Sequence, residues 1–313
     1  MNVGAMPRVY VAGHTGMVGS AICRRLRRGG YPLVMPKSRV NLTDQKAVHG
    51  LLEELRPDWV FLAAARVGGI SANSTYPAEF IYTNLMIEAN VIHASYMAGV
   101  KKLLFLGSSC IYPRDAPQPM KEEYLLSGYL EETNTPYAVA KIAGIVMVQS
   151  YNRQYGTSFI PVMPSNLFGP NDNFDLQDSH VVPALLRKTH EAKCSGADFV
   201  EIWGSGNPMR EFLYVDDLAD ACLFIMENCD SAELLNIGTG SDLSIRELAL
   251  MIKDIVGFTG EIRFNPEMPD GTPRKLLDVS RLNALGWKPS KSLREGLAEA
   301  YRWYVQNEST ARR

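Results

Sequence analysis

The chain has 313 residues, 46% hydrophobic and 21% charged, with a formal net charge of −2, a size that suits one large α/β unit or two lobes. So small a net charge argues against a partner held through a phosphate backbone, so nucleic acid is not expected, although basic residues can still gather around a small anion. Five cysteines (Cys23, Cys110, Cys194, Cys222, Cys229) make an odd set without CxxC or zinc spacing, and with no signal-peptide pattern or membrane-length apolar run the expectation is a reduced, cytoplasmic protein.

In chain order, "RVYVAG" (8–13) reads as a strand and 16–29 as a helix. A strand over 31–36, a helix over 44–55 and a strand over 58–65 follow. Then come a helix at 77–98, a strand at 101–109, a helix at 136–155 and a strand at 158–166. This alternation calls for a doubly wound parallel (Rossmann) sheet covered on both faces. After about residue 165 the pattern loosens, with helices expected at 181–193, 215–228, 244–256 and 292–307 between turn-rich stretches such as "LFGPNDNF" and "NPEMPDGTPRK". The expected division is a cofactor domain over 1–165 and, over 166–313, mainly a smaller α/β substrate lobe with segments returning to the first.

"VYVAGHTGMVGSAICRRL" runs strand, glycine turn, helix, with Gly13, Gly16 and Gly19 spaced GxxGxxG. The first glycines permit a tight turn and close approach to a pyrophosphate; the third lets helix and strand pack closely. A glycine triplet alone is weak evidence, but this one stands in the required strand-to-helix context. An NAD site wants an acid at the end of the second strand, yet "VMPKSRVNLTD" puts Lys37, Ser38 and Arg39 there. Two cations and a hydroxyl suit a 2′-phosphate, hence NADP(H). Read as solvated loop charges, the same residues would leave the choice open.

Tyr137 and Lys141 in "TPYAVAKIAG" are four apart and share one helical face. They could be an exposed pair. They could also be a working pair, the ammonium and a cationic nicotinamide drawing the phenol from about pH 10 toward neutrality. Ser108 in "FLGSSCIYP" lies just past a strand, at the end of the sheet where such folds bind ligands. The glycine turn, Ser108, Tyr137 and Lys141, in this order and each at its element boundary, resemble the extended short-chain dehydrogenase/reductase family. "REFLYVDDLADA" (210–221) and "LLNIGTG" (234–240) extend the resemblance over nearly the whole chain.

Cys110 follows Ser108 by two residues, and His180 opens a helix in "NFDLQDSHVVPALL". Alone, the first reads as a packing thiol and the second as a loop or capping imidazole. With "AGHTGMVGSAI", "AAARVGGI", "SYNRQYG", "GPNDNF", "WGSGNPMREFL" and "PDGTPRKLLDV" they resemble the branch of that family that epimerises and then reduces GDP-4-keto-6-deoxy-D-mannose. A 4-keto group acidifies C3 and C5, and inversion needs a base on one face and an acid on the other. Thiol and imidazole can both exchange protons near neutral pH. The residues leave the two roles open; the resemblance makes Cys110 the base and His180 the acid.

The resemblance also implies the binding sets. For NADP(H) these are His14, Thr15, Met17 and Val18 with the three glycines, then Lys37, Ser38, Arg39, Asn41 and Leu42. Further along come Leu106, Gly107, Ser108 and Ser109, then Lys141, the run Pro164, Ser165, Asn166 and Leu167, and His180. For the GDP-sugar they are Lys188, Trp203, Arg210 and Asp270. Metal ligands are not expected. Two departures stand out: "PKSR" at 36–39, where relatives often carry an arginine-rich version, and a short stretch at 228–236. Relatives pair the helices at 77–98 and 137–155 between subunits, which implies a homodimer. The rivals are a 4-epimerase or 4,6-dehydratase on the same scaffold, and a non-catalytic dinucleotide-binding regulator.

Overall fold

The computed structural model describes residues 6–176, 178–230, 232–268 and 270–312. Val9–Ala12 form β1, buried throughout, and Gly13 ends it with φ +87°. α1 (Met17–Arg28) turns Ala21, Ile22, Cys23 and Leu26 inward along one helical face. Asp44 caps α2 (Gln45–Leu55), accepting from the Ala47 N–H at 3.0 Å. β2 (Trp59–Leu62), α3 (Ile70–Thr75), α4 (Pro77–Met97), β3 (Lys102–Leu106), α5 (Thr135–Tyr155) and β4 (Ser158–Pro164) follow. Pro77 and Pro136 sit in the first turns of α4 and α5, where a missing N–H breaks no helical bond.

The later elements are β5 (Asn166–Phe168), α6 (Val181–Ser195), β6 (Phe199–Trp203), β7 (Met209–Arg210), β8 (Phe212–Tyr214), α7 (Val215–Asn228) and β9 (Leu235–Ile237). Then come β10 (Leu243–Ser244), α8 (Ile245–Val256), β11 (Glu261–Asn265), β12 (Arg274–Lys275), α9 (Ser280–Ala284) and α10 (Leu293–Gln306).

The central sheet has the order β1-β2-β3-β4-β9, every pairing parallel. Its alternating residues feed two cores. Val9, Val11, Leu104, Ile160 and Val162 pack with α1 and α7. Tyr10, Leu103, Phe105, Phe159 and Met163 pack with α2, α4 and α5. Both faces are therefore covered, the doubly wound arrangement, and α7 and β9 return to it from beyond residue 165. Truncating a fully buried side chain such as Leu26 or Leu52 to alanine costs about 2–5 kcal/mol.

The expected strand at 31–36 contracts to an isolated parallel bridge between Leu33 and Val9. Val9 donates to the Pro32 carbonyl and Val34 to that of Val9, both at 2.9 Å, while Pro32 and Pro36 have no N–H to extend the ladder.

The second half builds a third core from Phe168, Phe174, Leu186, Phe212, Leu248, Ile252, Leu297 and Tyr304. Around it lie the parallel pairs β5–β8 and β6–β11 and the small sheet β10-β7-β12. Ser244 with Glu247, and Ser292 with Glu295, form capping boxes that start α8 and α10. Among the described residues no helix is long and apolar enough to cross a membrane.

Candidate active site

The glycine turn leaves β1 where a side chain has no room. A Cβ on Gly13 would lie 2.7 Å from the Ala64 backbone nitrogen, and one on Gly19 would overlap the Gly13 carbonyl oxygen. Gly16 caps α1 with extended backbone and no side-chain cap, and the first turn carries no acid, so the helix N-terminus presents N–H groups to an anion. His14 and Thr15 form the crest of the turn, while Met17 and Val18 pack onto the core below. On the same edge of the sheet, past the carboxyl end of β4, the buried Ser165 hydroxyl has no protein partner. The Ser165 N–H donates to the Ile237 carbonyl at 2.9 Å, and the Asn166 amide donates to that of Glu211 at 2.7 Å, fixing the run Pro164 to Leu167. A side-chain-free cradle after β1 and an orphaned hydroxyl after β4 fit a dinucleotide.

Lys37, Ser38 and Arg39 are exposed in the loop before α2, with Lys37 3.6 Å from the exposed Glu54. Asn41 accepts from the Thr43 N–H at 3.1 Å, and the Leu42 carbonyl accepts from Asn90 at 3.0 Å, tethering the segment to α4.

At the carboxyl end of β3, past Leu106 and Gly107, Ser108 caps a 3₁₀ turn, Ser109–Ile111. Its Oγ lies 3.0 Å from the Cys110 Sγ and close enough to the Tyr137 phenol to favour its ionisation. Tyr137 enters from the first turn of α5 and packs against Ala72 and Phe80. Burial, then the charges of Cys110 and Glu88, push its phenol well above its usual range, and the Ser108 hydroxyl opposes them. In the protein without a nicotinamide, burial is therefore the dominant influence on this phenol.

Lys141 has much of its charge engaged elsewhere. Its Nζ donates to the Leu106 carbonyl at 2.9 Å, lies 3.0 Å from the Glu88 Oε1 and sits 4.8 Å from the Phe105 ring centroid, with the Tyr137 centroid at 6.0 Å. The Lys141 and Glu88 side chains are only 3% and 2% exposed. Sequence reasoning missed Glu88; its one signal is a lone acid inside the apolar "NLMIEANVIHA" of α4.

His180 caps α6. It is solvent-accessible on one side, yet the protein around it strips enough hydration to push its imidazole below the usual range. Its loop meets the loop beneath Tyr137: the Gly69 N–H donates to the Asp178 carbonyl at 3.1 Å.

The substrate candidates gather on the second half. Lys188 of α6 lies over the exposed Trp203 ring, 5.6 Å from its centroid. Asp270 accepts from the Ser205 N–H at 2.9 Å and hydroxyl at 2.6 Å. Burial pushes the Arg210 guanidinium down while the Asp270 charge holds it up, and a Cβ on Gly271 would crowd that guanidinium at 2.9 Å. Lys275, which sequence reasoning did not single out within "PDGTPRKLLDV", pairs with Arg210 across β12 and β7. Burial lowers its pKa most, and the Cys110 charge opposes, so this ammonium lies within electrostatic range of the thiol. Between the two cations runs Glu211, fully buried, whose carboxylate accepts from the N–H groups of Thr239, Gly240 and Leu277. Among the described residues there is no group of three or more His, Cys, Asp or Glu side chains that could hold a metal ion.

Residues 9–238 match the model of the NAD dependent epimerase/dehydratase family. The chain is 55% identical to GDP-L-fucose synthase of Escherichia coli (strain K12) over 316 residues, covering 97% of this chain and 98% of that one. It is 54% identical to GDP-L-fucose synthase 1 of Arabidopsis thaliana, covering 96% and 94%. Among solved structures, a GDP-L-fucose synthetase from Naegleria fowleri bound to NADP superposes with a TM-score of 0.91 at 29% identity, covering 99% of each chain. The glycine cradle, the Ser108–Tyr137–Lys141 constellation and these matches lead to one assignment: the chain belongs to the NAD dependent epimerase/dehydratase family, in the branch of the GDP-L-fucose synthases.

Proposed function

We propose that this chain converts GDP-4-keto-6-deoxy-D-mannose to GDP-L-fucose, inverting C3 and C5 and then reducing C4, with the residues above in the following roles. The observation that carries the reading is the cluster in which the Ser108 Oγ stands 3.0 Å from the Cys110 sulfur and close to the Tyr137 phenol, beside a buried Lys141. Cys110 removes a proton from carbon beside the ketone, and His180 supplies one from the opposite face. Ser108 and Tyr137 donate to the enolate oxygen while it exists. Bound NADPH supplies a hydride to C4. Tyr137, held protonated by its burial, gives its proton to the C4 oxygen.

The turn at Gly13, Gly16 and Gly19 takes the pyrophosphate, and Lys37, Ser38 and Arg39 take the 2′-phosphate. Arg210, Lys188, Trp203 and Asp270 take the GDP-sugar. We assign these tasks mainly to residues 1–165 and 166–313 respectively. A homodimer through α4 and α5 completes the reading: Tyr82, Met97 and Val146 expose 62%, 61% and 44% of their surface there, an apolar face that suits a second copy. Cys23, Cys222 and Cys229 are buried and unpaired, in keeping with a reducing cytoplasm.

The test is incubation with GDP-4-keto-6-deoxy-D-mannose and NADPH, following nicotinamide absorbance and sugar product. One NADPH consumed per GDP-L-fucose formed is expected. Turnover without net NADPH loss would instead mark a 4-epimerase or 4,6-dehydratase.

A further inference from the structure

The charge beneath the proton donor is balanced by a residue outside the set of Ser108, Tyr137 and Lys141. Glu88 projects from α4 into the gap between α5 and β3, where its Oε1 stands 3.0 Å from the Lys141 Nζ. The space is shaped for it: a Cβ on Gly144 would lie 2.7 Å from the Glu88 Oε2 and would overlap the Phe105 ring. With Leu106 and Glu88 as neighbours, two of the three N–H groups of the ammonium have protein acceptors within reach. Neither Glu88 oxygen has a hydrogen bond of good geometry, so the contact acts through charge more than direction. A carboxylate this deep is retained at a desolvation cost, and burial accordingly pushes its carboxyl up while Lys141 pulls it down.

We propose that Glu88 is a positioning residue for the reduction step, fixing the Lys141 ammonium and offsetting its charge so that Tyr137 stays in the protonated form that delivers a proton to the C4 oxygen. The inference rests on the reading of Tyr137 as that donor. The charged and titratable groups around Tyr137 are Lys141 from its own helix, Glu88 from α4, and Cys110 with the Ser108 hydroxyl from the turn after β3; Lys275 lies beyond Cys110. Glu88 is among the charges that raise the phenol, so removing its charge moves that ionisation down. An unbalanced ammonium would favour the phenolate, which has no proton to give. In the step itself a C–H bond of the nicotinamide supplied as NADPH and the O–H bond of Tyr137 break, a C–H and an O–H bond form on the sugar, NADP+ is left, and the phenolate recovers its proton from water, the hydroxide being taken up by buffer.

Glu88→Gln keeps the shape and removes the charge. NADPH consumption by this variant, followed from about pH 6 upward until activity is lost, is expected to fall off on the alkaline side at least about one pH unit earlier than in the unaltered protein. An alkaline limb that stays in place, or a loss by one constant factor at every pH, overturns the proposal. Thermal melting of Lys141→Met and of Lys141→Met/Glu88→Gln gives a readout independent of turnover. The first leaves a buried carboxylate unpaired, so the double variant is expected to melt several degrees higher; a double variant that melts lower overturns the pairing. Tyr137→Phe separates the two readings. If it consumes NADPH at the unaltered rate, the donor assignment falls and the inference with it; if it is inactive while the Glu88→Gln limb stays put, the inference alone falls.

Discussion

In the function proposed above, the cofactor and sugar sites are built by different means. At the cofactor end the work is done by backbone: Gly13 and Gly19 are required because a Cβ would meet Ala64 or the Gly13 carbonyl, and the anion site is a bare helix terminus. At the sugar end it is done by side chains: Glu211 collects three N–H groups, Asp270 holds Ser205, and Lys188 lies over Trp203. A backbone device tolerates almost no substitution, because every added atom lands inside it. A side-chain device degrades contact by contact.

Gly19→Ala should break this contrast most visibly. Its methyl must displace the Gly13 carbonyl, and NADPH affinity by fluorescence titration is expected to fall at least about 100-fold, with a lower melting temperature. Affinity within a few-fold of the unaltered protein would mean that the turn is not the cradle. Tyr137→Phe comes next, between the two ends: hydride transfer should slow about 10²- to 10⁴-fold with NADPH binding intact. Cys110→Ser should abolish solvent deuterium uptake at C3 and C5 while leaving reduction of an already epimerised ketone largely unchanged. If both steps fall together, the division of labour is wrong. Trp203→Ala should matter least, raising KM roughly tenfold at nearly constant kcat, the loss of one stacking and cation–π surface. A collapse of kcat there would place Trp203 nearer the chemistry than the rim.

What could be read from the sequence divides along the same line. Local rules found β1, the glycine turn and α1, because strand periodicity, turn chemistry and helix start all agree within a few residues. They also placed the four long helices of the second half within two residues at each end. The segment 31–36 failed because its apolar count suggested a strand while its two prolines denied it a ladder. α3 was missed because "ISANST" is short and polar; the Asn73 side chain in it donates to the carbonyls of Gly68 and Gly69, a bond invisible without the fold. Glu88 and Lys275 belong to the same class: each lies more than 50 residues from Lys141 or Cys110 in the chain, so only packing reveals the neighbour. Helical spacing shows that an ammonium is near a phenol, but not how deeply the fold buries that phenol, which in the protein alone pushes its ionisation up.

Glu211 has a bearing on how such proteins could change their sugar. Because this carboxylate ties the backbone at Gly240 and Leu277 to the segment that carries Arg210 without itself lying in the set of groups assigned to the sugar, the proposed Arg210 contact can be held constant while the outer wall around Trp203 and Lys188 is rewritten. Selecting new hexose or heptose donors by varying that wall alone should therefore leave folding untouched, whereas libraries that include position 211 should yield mostly insoluble chains.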